Sequence, residues 1–164
     1  MNIYLNLSII KNSSNSVDLR DNIRYLYPKK NTIMDGEFTK ILFSKNNITM
    51  NGLYLYLPLS IDSNNRNNYN KNEIYTRILS HTSLNNQIIS DLKQLEKLIL
   101  NHYLEYTKCG KQPELILQKQ LITNQLRVYH DKPYSKKLNK YVIKISGIWE
   151  TNSKIGLTYK IMEL

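Results

Sequence analysis

The sequence predicts a mainly β protein of the α+β class. Most of its apolar residues alternate with polar ones, which is the pattern of a half-buried strand. One segment, from Leu84 to Tyr106, instead repeats apolar residues every three or four positions, as an amphipathic helix does. Strands precede and follow this helix. That order matches an OB-like antiparallel barrel with one long helix between its third and fourth strands. A half-open sheet with a helix packed on one side gives the same order.

The chain of 164 residues fits a single domain, and neither a linker nor an internal repeat divides it. Residues 2–10 place Ile3, Leu5, Leu7 and Ile9 at alternate positions, so they predict the first strand. The polar stretch 11–24 predicts a loop or a short helix. Asp35-Gly36 then predicts a turn.

Two strands and a loop are predicted in the middle of the chain. The first strand covers 39–45, and Asn46-Asn47, which tolerate left-handed backbone, predict a hairpin to the second strand at 48–61. Residues 62–72 have almost no apolar content and predict a flexible surface loop. A short strand is expected at 73–80.

The last third returns to strands after a helix stop formed by Lys108, Gly110 and Pro113. The last two of these strands predict a hairpin around the segment ETNSK. Gly147 predicts a bulge that changes the facing of later residues. The predicted strands are 115–121, 125–129, 141–149 and 155–162.

Composition indicates an anionic partner. The net charge is +10, and the chain contains 13 Tyr but only two Phe. Asn, Lys, Ile and Tyr are all abundant, as AT-rich codons would produce, so only the placement of Lys and Tyr carries functional information. The one cysteine, Cys109, points to a reducing compartment. No apolar run is long enough to span a bilayer and the N-terminus does not read as a signal peptide, so we expect a cytoplasmic protein.

The segment Leu53 to Leu59 predicts a base-stacking platform. Its leucines point into the core, which leaves Tyr54 and Tyr56 side by side on the opposite face. Stacking on two tyrosines tolerates any base and contributes about 1–3 kcal/mol per base. The alternative is that a helix or loop covers both rings.

Basic residues are concentrated near the C-terminus. Residues 127–160 contain eight basic and two acidic side chains, interleaved with Tyr129, Tyr134, Tyr141 and Trp149. Such a mixture suits a groove that follows a phosphate backbone. Trp149 is either a core residue or an exposed stacking residue near the loop, and Tyr129 is a further candidate nucleic-acid-binding residue. The residues that we expect to contact phosphates are Lys40, Lys45, Arg127, Lys136, Lys137, Lys140, Lys144 and Lys160.

Enzyme motifs are absent from the sequence: it contains no P-loop, GxGxxG, HExxH or CxxC pattern. We therefore expect no enzymatic activity, no catalytic residue, no metal and no cofactor. His130, Tyr134 and neighbouring lysines could support nuclease-like acid–base chemistry, which is the weakest alternative.

Two segments, MDGEFTKILFS…NITMNGLYLYLPL at 34–59 and YVIKISGIWETNSKIGLTYKI at 141–161, carry a family resemblance. They resemble single-stranded DNA-binding proteins of large cytoplasmic DNA viruses and virus-like linear plasmids, which use OB-type folds. The resemblance implies coating of single strands during DNA replication, at a viral replication site in the host cytoplasm or its equivalent.

The predicted function is therefore non-specific binding of single-stranded DNA, by stacking on tyrosines and neutralising phosphates. RNA remains open as the ligand, because no residue pattern reads the 2′-hydroxyl. The main alternative is a structural or host-interaction viral protein that uses exposed tyrosines to bind another protein. No membrane partner is expected. A homo-oligomer paired through edge strands or helices remains open.

Overall fold

The computed structural model describes residues 5–7, 16–70, 73–79, 82–129 and 140–164, with side chains described for these except 16–18 and 63–70. In chain order the elements are β1 (Leu5–Asn6), α1 (Ser16–Asn22), β2 (Ile23–Tyr25), β3 (Lys29–Lys30), β4 (Glu37–Lys45), β5 (Ile48–Met50), β6 (Leu53–Leu57), β7 (Ile61–Asn70), β8 (Glu73–Ile78), α2 (Ser83–Thr107), β9 (Gln112–Glu114), α3 (Ile116–Ile122), β10 (Gln125–Tyr129), β11 (Tyr141–Glu150) and β12 (Lys154–Glu163).

The strands of the described residues form one large mixed sheet, which confirms a mainly β fold. Its main path runs β1-β6-β11-β12-β10-β8-β7, and β4 joins it by pairing with the far half of β11. The path is open at both ends, so the predicted closed barrel is not confirmed. Three pairs, β1–β6, β10–β12 and β9–β12, are parallel, so the sheet is not purely antiparallel as predicted. The alternative prediction, a half-open sheet with a helix packed on one side, is closer to this open sheet.

The long predicted helix is confirmed as α2. The side chain of Thr82 caps its start by accepting a hydrogen bond from the Asn85 backbone N–H at 3.2 Å. Lys108 ends it in left-handed backbone, at φ 54°. The helix buries one apolar stripe, as its three- and four-residue spacing requires. The aliphatic residues of this stripe are Ile88, Leu92, Leu95, Ile99 and Leu100.

Residues 115–121, predicted as a strand, are instead mostly in the helix α3. The Glu96 carboxylate, fully buried on α2, accepts hydrogen bonds from the backbone N–H groups of Leu117 and Gln118 at 2.9 and 2.8 Å. These N–H groups lack partners within the helix, so a long-range side chain stabilises the first turn of α3. Leu117 and Leu121, four residues apart, then share the buried face.

The predicted loop at 62–72 is also wrong over most of its length. Residues 61–70 form β7, the strand at one edge of the sheet, which pairs with β8 through an irregular register. Backbone pairing with β8 forms this strand without the apolar alternation that identifies strands from sequence. The predicted strand at 48–61 is divided into β5 and β6 by Gly52, at φ 108°. A Cβ at Gly52 would lie 2.7 Å from the carbonyl oxygen of Ile145 in β11. The backbone of β11 therefore approaches position 52 too closely for any residue that has a side chain.

Both predicted hairpins are present. Asn46 and Asn47 adopt left-handed backbone between β4 and β5, at φ 49° and 63°. In the hairpin of β11 and β12 the register shifts between Ile145 and Gly147, which is the predicted bulge. Of the predicted strand at 2–10, residues 5–7 are described, and Leu5–Asn6 of these form β1. The segment 11–24 contains α1.

Candidate nucleic-acid interface

The sheet has a helix-covered face and an opposite one, here called the outer face. Ile143 and Ile145 of β11 lie on the helix-covered side and are fully buried. Tyr159, paired with Ile145 across β12, donates a hydrogen bond from its hydroxyl to the side chain of Gln120 on α3. Because side chains alternate along a strand, Lys144 points to the outer face.

The tyrosines of β6 alternate with buried leucines, as predicted. Tyr54 and Tyr56 are half-buried and lie on the outer face, where they are paired in register with Lys144 and Val142. The Lys144 ammonium lies 5.2 Å from the centroid of the Tyr54 ring, a cation–π distance. Val142 is fully buried, so the outer face is open beside Tyr54 rather than along its whole length.

Two lysines lie side by side next to Tyr54. Lys144 of β11 is directly opposite Lys160 of β12, and like charges in that position are destabilising. Among the residues that the structure describes, neither lysine has a carboxylate within ion-pair distance. An anionic ligand at this point would relieve the repulsion.

Tyr129 of β10 continues the same row. The Lys160 ammonium lies 4.3 Å from its ring centroid and the Arg127 guanidinium carbon 5.2 Å from it. Burial raises the pKa of the Tyr129 hydroxyl, so this ring remains neutral at physiological pH. We call this row the outer strip, and its residues are Tyr54, Lys144, Lys160, Tyr129 and Arg127.

Arg127 differs from the lysines of the strip because it already has an anionic partner. Its Nε and Nη2 donate to one Glu73 oxygen at 3.0 and 2.6 Å, and this hydrogen bonding raises the pKa of Arg127. The pair is therefore close to neutral. The positive charge of the strip comes mainly from Lys144 and Lys160.

Trp149 is not an exposed stacking residue. It is 8% exposed and lies opposite Gly156 of β12 and Phe38 of β4. The indole packs against Gly156, where a Cβ would lie 2.3 Å from its Cζ2. The ring is held against the sheet, so the core reading of Trp149 is the correct one.

The remaining predicted phosphate contacts are not brought together. Lys40 is half-buried and lies opposite Gly147, on the outer face beyond the strip. Lys45 is five positions further along β4, so its side chain points to the other side of that strand. Lys140 is exposed just before β11, and its carbonyl accepts a hydrogen bond from the Leu164 N–H. Two predicted contacts, Lys136 and Lys137, lie outside the described residues, as do His130 and Tyr134 of the nuclease alternative.

A second group of tyrosines was missed in the sequence. Tyr25 of β2 lies 5.0 Å from Tyr103 and 5.2 Å from Tyr106, both on α2, measured between ring centroids. Together with Tyr27 they line a cavity of about 380 Å³ beside the end of α2. The segment Arg24-Tyr25-Leu26-Tyr27-Pro28-Lys29-Lys30, in which two tyrosines two positions apart are flanked by basic residues, is the signal that could have indicated it. We call this cavity the tyrosine pocket; Leu26, Pro28, Thr39 and Thr107 complete its lining.

A polar network lies beneath the tyrosine pocket. The Tyr103 hydroxyl donates to Glu150 at 2.7 Å and is 2.9 Å from the Thr39 hydroxyl, while Lys111 donates to the other Glu150 oxygen at 2.7 Å. Burial raises the pKa of the Tyr103 hydroxyl, which therefore stays protonated. These hydrogen bonds hold the Tyr103 and Thr39 side chains in place at the base of the pocket, which we call its floor.

These features define a mainly β protein with an open mixed sheet. On its outer face it presents tyrosines and two lysines that have no carboxylate partner among the described residues. The chain matches no protein-family model, no curated protein and no solved structure. None of the helices in the described part of the chain combines the length and the apolar character needed to cross a bilayer. The described side chains also contain no group of three or more His, Cys, Asp or Glu residues placed to hold a metal ion.

Proposed function

We propose that this protein binds single-stranded nucleic acid, with DNA as the expected form, through the outer strip. The observation that carries the proposal is the register pair Lys144 and Lys160, two lysines without carboxylate partners in the described structure, with a tyrosine ring beside each of them. Alternating cations and aromatic rings are the combination that binds a phosphate backbone and its bases together.

The dimensions of the strip suit a short piece of single strand. From Tyr54 on β6 to Tyr129 on β10 the strip crosses three gaps between neighbouring strands. At about 4.8 Å per gap this is roughly 14 Å. A stacked strand rises about 3.4 Å per nucleotide, so about four nucleotides would cover the strip. The proposal does not require a closed OB-like barrel, since the strip lies on one face of an open sheet.

The role implied by the resemblance, coating of single strands during replication in the cytoplasm, belongs to the same proposal. Base stacking and phosphate neutralisation do not depend on sequence, and coating requires that independence. Such a role needs no chemical step on the DNA.

A fluorescence-polarisation titration with labelled oligo-dT tests the proposal. We expect tight binding at low salt that weakens as salt rises, with a log–log slope of about −1.4 from Lys144 and Lys160 together. Micromolar or weaker binding without salt dependence would contradict the proposal. A parallel titration with oligo-U distinguishes DNA from RNA.

A pair of double variants tests the stacking part. Tyr54→Ala with Tyr56→Ala should weaken oligo-dT binding about tenfold, because the Tyr54 ring of the outer strip can no longer stack on a base. Tyr54→Phe with Tyr56→Phe is the matched control, since it keeps both rings and removes only the hydroxyls. If both double variants bind as the wild type does, the bases stack elsewhere.

One observation favours the alternative of a protein-binding role. Ile33, between β3 and β4, is 94% exposed, and Met34 beside it is also exposed. Apolar side chains in such positions are found at protein contacts. A large stable assembly in light scattering, unchanged by added oligo-dT, would favour this role over nucleic-acid binding.

A further inference from the structure

The tyrosine pocket has the construction of a binding site rather than of a packing defect. Its volume, about 380 Å³, falls within the range of roughly 300–1,000 Å³ that is typical of small-molecule sites. It is too small for a folded partner but has room for one planar ring and its substituent.

The rings of the pocket divide into fixed and exposed ones. Tyr25 and Tyr103 form its interior: they pack edge to face at an interplanar angle of 72°, and the Tyr25 hydroxyl lies 3.1 Å from His102 Nδ1. Tyr27 and Tyr106 form its mouth and are 91% and 64% exposed. Aromatic rings left in water at the mouth of a cavity gain most from a flat aromatic ligand that covers them.

The charge near the mouth of the pocket favours an anionic substituent on that ligand. Lys29 and Lys30 follow Tyr27 after a single proline, and both are exposed on β3. Glu37 is paired with Lys30 in register, yet in the described structure neither lysine makes an ion pair. Because Lys29 and Lys30 are consecutive in β3, their side chains point to opposite faces, and Lys30, paired with Glu37, shares the face of Thr39 in the pocket lining. A phosphate attached to the aromatic ligand would therefore meet the Lys30 ammonium.

The floor adds polar groups that a purely apolar cavity would lack. The Thr39 hydroxyl and the Tyr103 hydroxyl, both in the lining, lie at its base within the network of Glu150. The Tyr103 proton goes to Glu150 and the Thr39 proton to Tyr103, so toward a ligand these hydroxyls act as acceptors for the N–H groups on the edge of a base.

We infer that the tyrosine pocket binds one nucleobase of a 5′-nucleotide between Tyr27 and Tyr106, with the phosphate directed to Lys30. The site is formed by different residues from the outer strip and lies on the helix side of β4. It shares with the proposed function only the class of ligand.

The test uses the full chain and two mononucleotides, dTMP and dAMP, in a calorimetric titration. Wild type should bind both, and Tyr27→Ala should weaken binding about tenfold through the lost stacking. Ile33→Ala is the matched control: Ile33 is 94% exposed, lies outside the pocket lining, and should leave binding unchanged. Lys30→Ala should weaken binding of dTMP but not of the nucleoside thymidine.

Two results would overturn the inference. One is a wild-type protein that binds neither mononucleotide at millimolar concentration; the other is a Tyr27→Ala variant that binds both as the wild type does. Tyr54→Ala with Tyr56→Ala separates the two sites, because it should leave mononucleotide binding unchanged while weakening oligo-dT binding. If oligo-dT binds through the strip and the mononucleotides do not bind, the inference fails and the proposed function stands.

Discussion

The outer strip and the tyrosine pocket combine the same two residue types in opposite ways. In the strip, Tyr54 and Tyr129 lie half-buried on a flat surface with the two lysines between them, each ammonium near a ring. In the pocket the tyrosines enclose a cavity, and the lysines that follow along the chain lie outside it. A flat arrangement suits successive nucleotides of any sequence, whereas an enclosed one suits a single base. The number of tyrosines and lysines therefore does not determine which ligand binds; their arrangement in the folded chain does.

Charge reversal on the strip should give the largest difference between the two regions. Lys144→Glu with Lys160→Glu should weaken oligo-dT binding about a hundredfold at low salt, because two attractive phosphate contacts become repulsive. The salt slope should become smaller by about 1.4, the contribution of two contacts. Fluorescence polarisation measures both quantities.

Lys93→Glu with Lys97→Glu is the matched control for that variant. It makes the same change in net charge on α2, away from the strip. Equal losses from both variants would mean that the total charge of the protein, and not the strip, determines binding.

The polar network beneath the tyrosine pocket should contribute to the stability of the fold and not to oligo-dT binding by the outer strip. Tyr103→Phe leaves one oxygen of the buried Glu150 carboxylate without its hydroxyl donor and the Thr39 hydroxyl without its partner. We expect a loss of about 1–3 kcal/mol in the free energy of unfolding, measured by urea titration. Oligo-dT binding by the folded variant should be unchanged.

Tyr106→Phe controls for the loss of a hydroxyl alone, because the Tyr106 side chain is 64% exposed. Its free energy of unfolding should stay within about 0.5 kcal/mol of the wild type. A loss as large as that of Tyr103→Phe would show that the buried network is not the cause.

Within the strip, the pairing of Arg127 with Glu73 should make this arginine a minor contact. Arg127→Ala with Glu73→Ala removes a nearly neutral pair, so oligo-dT binding should change by less than about twofold. Lys160→Ala removes a charge that has no carboxylate partner in the described part of the chain, and it should weaken binding about fivefold. If the paired variant loses more affinity than Lys160→Ala, the guanidinium exchanges Glu73 for phosphate on binding.

The smallest expected effect is a pH dependence of stability near the pocket. Burial, with the nearby Arg20 charge, lowers the pKa of His102 below its ordinary value of about 6.5. The unfolded chain therefore takes up a proton first, so the stabilisation is present above pH 6.5 and lost as the pH falls through the lower, folded pKa. Urea midpoints at pH 7 and pH 5 should differ less in His102→Gln than in the wild type. An equal fall in both proteins would assign the pH dependence to other groups.

Local patterns predicted the parts of the fold that local residues determine. The alternation of Leu and Tyr from 53 to 57 placed Tyr54 and Tyr56 on the face opposite the core, because strand side chains alternate whatever the neighbouring strand is. The periodicity of α2 and its end at Lys108 were predictable for the same reason. The register that places Lys144 beside Tyr54 was not, since it joins residues 90 positions apart along the chain.

Errors occurred where distant partners override local preference. Residues 115–121 form most of a helix because Glu96, from another element, bonds the first N–H groups of α3. The Asn-rich segment 61–70 is a strand because β8 pairs with it, although Asn has low strand propensity. The tyrosine pocket was not predicted because Tyr25 and Tyr103 are far apart in the sequence, and their contact depends on the whole fold.

Strand β11 links the outer strip to the tyrosine pocket. β11 pairs along one edge with β12, and along the other with β6 for its first half and with β4 for its second. The strip therefore uses the first half of β11, while Glu150 at its end supports the pocket. We expect the amide protons of residues 141–150 to exchange with solvent only through global unfolding, at a rate common to both halves. A fragment lacking the hairpin of β11 and β12 would then lose both regions together, because the two sites fold as one cooperative unit.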